Sequence, residues 1–507
     1  MPAAVTDSSS AKKGGPRYQK LRRGVRGAGG LTRAEVVANQ RARLYEATIE
    51  VTAAVGYEAM TIKAVCALAG VSRRTFYDLF GAAGTGPDGV DPGPGSVGFV
   101  RSAAGPSPKQ ACFLAAYDFA VGRAASRINR AYRAERDPEL RLCRAFERFA
   151  RVLADEPHTA RVALVEVLGA GPAALARMQR TRAVFERMIG ASLAEGPSGV
   201  ALAPPLVKGI VCGVERIVRR RLLTGAGGLT GDREVTGQDE VGGEDELAAL
   251  SDELLAWVLS YRTPPAATLT AAASPGGLRT PVRWEPRTRV ENDRARILCC
   301  AARIVAARGY AQLTRAQIAR DAEVSEQRFD ELFESPEQCF LDALDRLGLE
   351  ALVCVARAAR GSDDPLLGVH RGIVALMRHI ADDPVLVRVA FVEVFALGPS
   401  GIQRRERLLG QFTGLLAKSL PSRAATTSPS RPSRRSRESE RSRAPGAPPD
   451  LALEASVGAI WGIVHQQVTR AASRRLPDLA GYATYLALAP AIGGEAAVEV
   501  IRGSDGV

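Results

Sequence analysis

The chain has 507 residues, 46% hydrophobic and 24% charged, close to globular averages, which excludes a disordered, collagen-like or coiled-coil chain as the main organisation. At roughly 150 residues per domain, this length implies three or four compact units. Lysine and arginine number 68 against 55 acidic residues, a formal charge of +13, which suggests a polyanionic partner such as nucleic acid.

Residues 1–30 form a basic, flexible arm: Lys12, Lys13, Arg17, Lys20, Arg22, Arg23 and Arg26 occur with no acidic residue from 11 to 26. From 31 to 80 the apolar residues Leu44, Ala47, Val51 and Val55 recur at helical spacing, predicting a helix that ends at Gly56. Thr61 is a good N-cap for a second, short helix with the apolar face Ile62, Val65, Leu68 and Ala69. Gly70 supplies a positive φ, Val71 tucks into the core, and Ser72 caps a third helix that points Phe76 and Phe80 inward. This is a helix-turn-helix. Its outward residues suit a DNA groove: Arg73 and Arg74 can fork onto guanine, the Thr75 methyl can touch thymine, and the Tyr77 hydroxyl can reach phosphate. Thr61 and Lys63 suit phosphate contacts, and Ser72, Arg41 and Arg43 complete the expected DNA-facing set. Taken alone, the same residues also fit an ordinary helical hairpin with a solvated arginine pair.

Residues 81–107 are rich in glycine and proline and should form an exposed insertion. Residues 108–262 read as amphipathic helices punctuated at Asp-Pro and Gly-Pro, and 263–289 as a linker. Beyond the linker the chain repeats itself. ADEPHTARVALVEV (154–167) matches ADDPVLVRVAFVEV (381–394) at nine of fourteen positions, an offset of 227. GYEAMTIKAVCALAGVSRRTFYDLF (56–80) matches GYAQLTRAQIARDAEVSEQRFDELF (309–333) at nine of twenty-five, an offset of 253, and the 26-residue difference is the insertion in the first copy. Residues 290–345 are therefore a second, degenerate helix-turn-helix and 346–494 a second helical region interrupted by a Ser/Arg-rich, disordered tract at 422–449.

The stretch TIKAVCALAGVSRRTFYDLF, preceded by an amphipathic helix ending in Gly-Tyr, resembles the DNA-binding domain of TetR-type (TetR/AcrR) transcriptional regulators. The resemblance implies an all-α fold of two tandem TetR-like units, each a three-helix DNA-binding domain followed by a helical ligand-binding and dimerisation domain. It also implies double-stranded DNA as partner, with Arg73, Arg74, Thr75 and Tyr77 in contact, and a small-molecule effector in an apolar pocket. The last two helices of each unit, Leu206 to Leu223 with Glu246 to Tyr261 and Leu451 to Ala472 with Asp478 to Leu488, would form a four-helix bundle. That bundle could close within one chain as a pseudo-dimer or between chains as a homodimer. The sequence departs from the family where a Ser-Lys often follows Phe80. In the second copy Glu323 replaces the turn glycine and Asp330 the tyrosine, leaving Ser325 to Phe333 with Arg328 against Glu326, Asp330 and Glu331. Acid facing phosphate repels it, so this copy is read as packing, with Arg315, Arg320 and Arg328 as weak DNA contacts at most.

Glu166 and Glu393 interrupt the repeated apolar run at equivalent positions. A buried carboxylate needs a partner, and Arg161 and Arg388 are near in sequence; anchoring a polar group of a ligand is the other reading. Trp257, Trp461, Phe391 and Phe395 are expected in the core. With four histidines and no Cys-x2-Cys or His-x3-His spacing, neither metal nor cofactor is expected. Gly84 to Gly89 matches a dinucleotide-binding string, but no strand precedes it and Pro87 falls inside. No nucleophile elbow, P-loop or His-Glu-x-x-His is present, so an enzyme is not expected. The longest uncharged apolar-leaning run, Leu479 to Gly494, has 16 residues including Pro490, short of the ~20 needed to span a bilayer. Nor does an apolar stretch follow a basic N-terminus. The expectation is a cytoplasmic, DNA-binding transcriptional regulator, a repressor released by a small-molecule effector. The alternative is a helical ligand-sensing or protein-interaction scaffold that has lost sequence-specific DNA binding.

Overall fold

A computed structural model describes residues 32–81, 106–196, 201–224, 239–262, 289–420, 451–470 and 472–503. The basic arm, most of the 81–107 insertion and of the linker, and the 422–449 tract lie outside the described residues. Those described are all-α, with no strand among them. In chain order the helices are α1 (Arg33–Ala59), α2 (Ile62–Ala69), α3 (Arg73–Phe80), α4 (Pro108–Arg133), α5 (Pro138–Asp155), α6 (Pro157–Leu164), α7 (Pro172–Glu195), α8 (Pro204–Thr224) and α9 (Asp239–Leu259). The second half adds α10 (Arg289–Arg308), α11 (Arg315–Asp321), α12 (Glu326–Leu332), α13 (Pro336–Ala359), α14 (Pro365–Asp382), α15 (Pro384–Phe391), α16 (Gly398–Ser419), α17 (Leu451–Thr469), α18 (Ala480–Ile492) and α19 (Gly494–Gly503).

Local chemistry sets most of these boundaries. Thr32 and Glu35 form a reciprocal capping box at the start of α1. Ser107, Asp137, Ser335, Asp364 and Asp383 cap α4, α5, α13, α14 and α15, each with proline in the first turn, where its missing N–H is not needed. The turn between α2 and α3 places Gly70 at φ 59°. Its counterpart between α11 and α12 is Glu323 at φ 53°, the one non-glycine residue with positive φ among the described residues.

Most buried apolar side chains of both halves form one continuous core rather than two discrete globules, with Ile128, Ala145, Val152 and Met188 in a small separate cluster. The halves meet where α8 crosses α17. Glycines let the two backbones approach: a Cβ at Gly458 would stand 2.8 Å from the Arg216 side chain, one at Gly209 would stand 2.7 Å from Leu486 Cδ1, and one at Gly462 would collide with Cys212. Around this crossing Trp257 Nε1 donates to Ser456 Oγ at 3.3 Å, and the Tyr261 hydroxyl donates to the Leu486 carbonyl at 2.9 Å. Thus α8 and α9 pack against α17 and α18, the four helices singled out from the sequence. Among the described residues one helical stretch, Pro384–Ser419, is apolar and long enough to cross a membrane by length and composition, and more than half of its most apolar window is buried. It is not one straight helix: a 3-10 segment, Glu393–Leu397, and Gly398 at φ 57° separate α15 from α16.

The two turn residues give a matched test. Gly70→Ala should lower the unfolding free energy by about 1 kcal/mol because it forces a Cβ into the left-handed region. Glu323→Gly should raise it by about 0.5 kcal/mol, the relief exceeding the added freedom of the unfolded chain. Urea unfolding monitored by helical circular dichroism measures both.

Candidate nucleic-acid interface

The hinge between α2 and α3 is built from the main chain outward. Gly70 N–H donates to the Ala67 carbonyl at 3.2 Å and Val71 N–H to the Cys66 carbonyl at 3.0 Å, closing α2 in its left-handed cap. Val71 is buried, and Phe76 points inward against Phe80, with ring centroids 5.1 Å apart. Ser72 Oγ accepts the Thr75 N–H at 3.1 Å and starts α3; Thr61 Oγ1 accepts the Ala64 N–H at 3.2 Å and starts α2.

Arg73, Arg74 and Tyr77 of α3, Lys63 of α2 and Arg41 of α1 are all exposed. Among the described residues, Arg73, Arg74 and Lys63 make no ion pair. Thr61 and Ser72 are exposed too, with their hydroxyls engaged as caps; Thr75 is half-buried, and its hydroxyl shares a 2.9 Å hydrogen bond with Ser72. Arg43 departs from expectation. It is buried, and its guanidinium donates to the carbonyls of Ala69 and Gly70, the latter at 2.9 Å. Burial lowers its pKa, and its task is to satisfy the C-terminal carbonyls of α2 rather than to face DNA. The repeat could have signalled this, because Arg296 stands 253 residues later and donates to the carbonyls of Ala322 and Glu323 at 3.0 and 2.9 Å.

In the second half the equivalent face is closed by its own acids. Arg315 pairs with Glu326 and Asp330, each at 3.0 Å, and Arg328 with Asp293 at 3.0 Å and Glu331 at 2.8 Å. These hydrogen-bonded carboxylates, Asp330 foremost for Arg315 and Glu331 for Arg328, raise both arginine pKa values. Arg320 remains exposed on α11.

Glu166 and Glu393 sit at the joint between each head and its helical body. Gly56 breaks α1 at φ 84°, and the next amide, Tyr57 N–H, donates to Glu166 Oε2 at 3.1 Å. Gly309 at φ 85° and Tyr310 N–H repeat the arrangement with Glu393 Oε2, also at 3.1 Å. Arg161 lies 3.2 Å from Glu166 and Arg388 2.6 Å from Glu393. Burial raises the Glu166 pKa against the opposing pull of the Tyr57 amide and Arg161. Neither carboxylate lines the apolar cavities of the two halves, and both have the arginine partner expected of a paired structural glutamate.

Each half holds a partly open apolar cavity. The first, about 130 Å³, is walled by Tyr117, Phe146, Phe149, Met178, Phe185 and Met188. The second, about 120 Å³, is walled by residues that include Leu344, Ile373, Leu386 and Phe412. Trp257, Phe391 and Phe395 are buried, as expected of core residues; Phe391 and Trp461 stack at 4.1 Å and also form part of this wall, and Phe395 lines a smaller cavity beside Trp461. No group of three or more metal-ligating side chains occurs among the described residues.

Residues 44–82 match the family described as bacterial regulatory proteins, tetR family. A TetR-type helix-turn-helix domain is therefore present over the first head. No curated protein matches the chain at a significant level.

The joint predicts its own sensitivity. Glu166→Ala should cost about 1–3 kcal/mol by leaving the Tyr57 N–H unmet, and Glu166→Gln, which keeps an oxygen acceptor, should cost less. Urea unfolding gives the magnitudes, and amide hydrogen exchange at Tyr57 should accelerate more in the alanine variant.

Proposed function

We propose that the chain is a DNA-binding transcriptional regulator built as a tandem duplication of a TetR-like unit, with the first head reading DNA and the second retained for packing. The observation that carries this reading is the contrast between the two heads. Arg73, Arg74, Lys63 and Tyr77 are exposed on the first, whereas Arg315 and Arg328 are held by four carboxylates on the second. An arginine already paired gains little by moving to a phosphate, and the acids around it repel the backbone. In this assignment Arg73 and Arg74 address base edges, Thr75 a thymine methyl, and Tyr77, Lys63, Thr61, Ser72 and Arg41 position the backbone. Arg320 adds at most weak affinity.

Repression released by an effector rests on the route between cavity and head. Helix α4 carries Tyr117, Val121 and Ile128 into the first cavity and packs Phe113 against Tyr57 at 4.8 Å under the head. Near its start, Lys109 Nζ donates to the Glu58 carbonyl at 2.9 Å. A small apolar effector that favours one tilt of α4 would shift the population of head orientations and lower DNA affinity. The pairing of α8 and α9 with α17 and α18 supports a pseudo-dimer within one chain, and the duplicated joint at Glu166 and Glu393 supports the duplication.

Selection of bound duplexes from a randomised library, with affinity then measured at fixed salt, tests this. Arg73→Ala and Arg74→Ala should each weaken specific binding by about 1–3 kcal/mol, while Arg315→Ala and Arg328→Ala leave it unchanged. Should no sequence be enriched and no variant differ, the chain is instead a scaffold without sequence-specific DNA binding.

A further inference from the structure

Where α7 and α8 of the first half meet α16 and α17 of the second, the core is charged rather than apolar. Arg182, Arg216, Arg219 and Arg405 converge there with side-chain exposures of 14, 2, 4 and 8%. Two carboxylates answer them. Glu215 accepts from Arg182 Nε at 2.8 Å, and Glu406 lies 3.3, 3.8 and 3.1 Å from Arg216, Arg219 and Arg405. Arg219 Nε is spent on the Leu164 carbonyl at 2.8 Å, and Arg216 also donates to the Glu454 carbonyl. Arg220 beside Arg216 is matched by Glu454, and Glu186 acts on Arg182 from further off, so five guanidinium groups face four carboxylates and one positive charge is left over in the interior.

A cavity of about 30 Å³ lies among these groups, lined by Arg182, Arg216, Arg219, Arg405, Trp461 and His465. Arg405 Nε, Trp461 Nε1 and His465 Nδ1 are buried with no hydrogen-bond partner among the described residues. Two of these are obligatory N–H donors, and the imidazole can present a third. Burial, reinforced by Arg182, Arg405 and Arg219, lowers the His465 pKa to about 3, so the ring is neutral and adds no charge. Unbalanced buried charge and unmet buried donors are both unfavourable, and one bound anion relieves both. The volume exceeds the roughly 10–15 Å³ needed for a water, which suits a monatomic ion and not a sulfate or an organic acid.

We propose that this cavity is a halide site, in which one chloride ion accepts from Arg405, Trp461 and the surrounding guanidinium groups and ties the two halves of the chain together. Met178, 227 residues before Arg405, lines the same cavity, so a methionine has a natural precedent beside this space.

Thermal unfolding of the full chain in rising sodium chloride or bromide, with sodium gluconate holding ionic strength constant, tests the site. A saturable rise in Tm of about 5 °C is expected. Arg405→Met should lose the response and Arg405→Lys keep it, and crystals grown in bromide should show an anomalous peak inside the cavity. If the methionine variant does not fold, the halide series and the bromide map on the unaltered chain decide the matter together. A response that is absent, that gluconate reproduces, or that fails to saturate would overturn the proposal. So would a cavity filled by water alone, or bromide seen in the crystal without any effect in solution.

Discussion

A carboxylate that receives one backbone amide fixes each head to its body. The chain must leave α1 or α10 through a glycine with positive φ, Gly56 or Gly309, and this exit turns the following N–H away from the helix. Inside a protein that N–H needs an acceptor, and Glu166 or Glu393 supplies it from the 3-10 segment after α6 (Glu166–Leu168) or after α15 (Glu393–Leu397). Everything beyond the joint inherits its angle. Tyr57 can rest on Phe113 and under the Lys109 ammonium, 4.8 Å from each, only when the exit is held in this way.

On the proposed reading, two heads on equal joints have diverged at their surfaces. The inward residues are alike, Phe76 and Phe80 against Phe329 and Phe333, and so is the arginine that closes the second helix, Arg43 against Arg296. The outward residues are not. On the proposed reading, packing kept the second head while its charge pattern drifted toward self-neutralisation. Surface ion pairs such as Arg315 with Asp330 contribute little to stability, and their main effect is to occupy the cation.

Features set by neighbouring residues are legible in the sequence. Thr61, Gly70 and Ser72 mark the helix-turn-helix because a cap or a left-handed turn is decided within four residues. Of the partners of Glu166, Arg161 is legible from its nearness in sequence, but the Tyr57 amide is not, since it lies 109 residues away and a main-chain group carries no sequence signal. Arg43 misleads because the same side chain serves equally well on a phosphate or on a carbonyl. Arg182, Arg216 and Arg219 pass for solvated helix residues, and only the approach of Glu406 from the other half reveals that they are enclosed.

The crossing of α8 with α17 also governs the order in which the molecule can be made. Its two strips of glycine and small residues lie far apart in the chain, with Arg216 and Glu454 238 positions from one another, so the first cannot be covered until the second has left the ribosome. At elongation rates of roughly 5–20 residues per second, that delay is on the order of 10–50 s. During it the nascent first half carries an uncovered apolar flank, and a chaperone or a neighbouring nascent chain has time to reach it before the intended mate arrives.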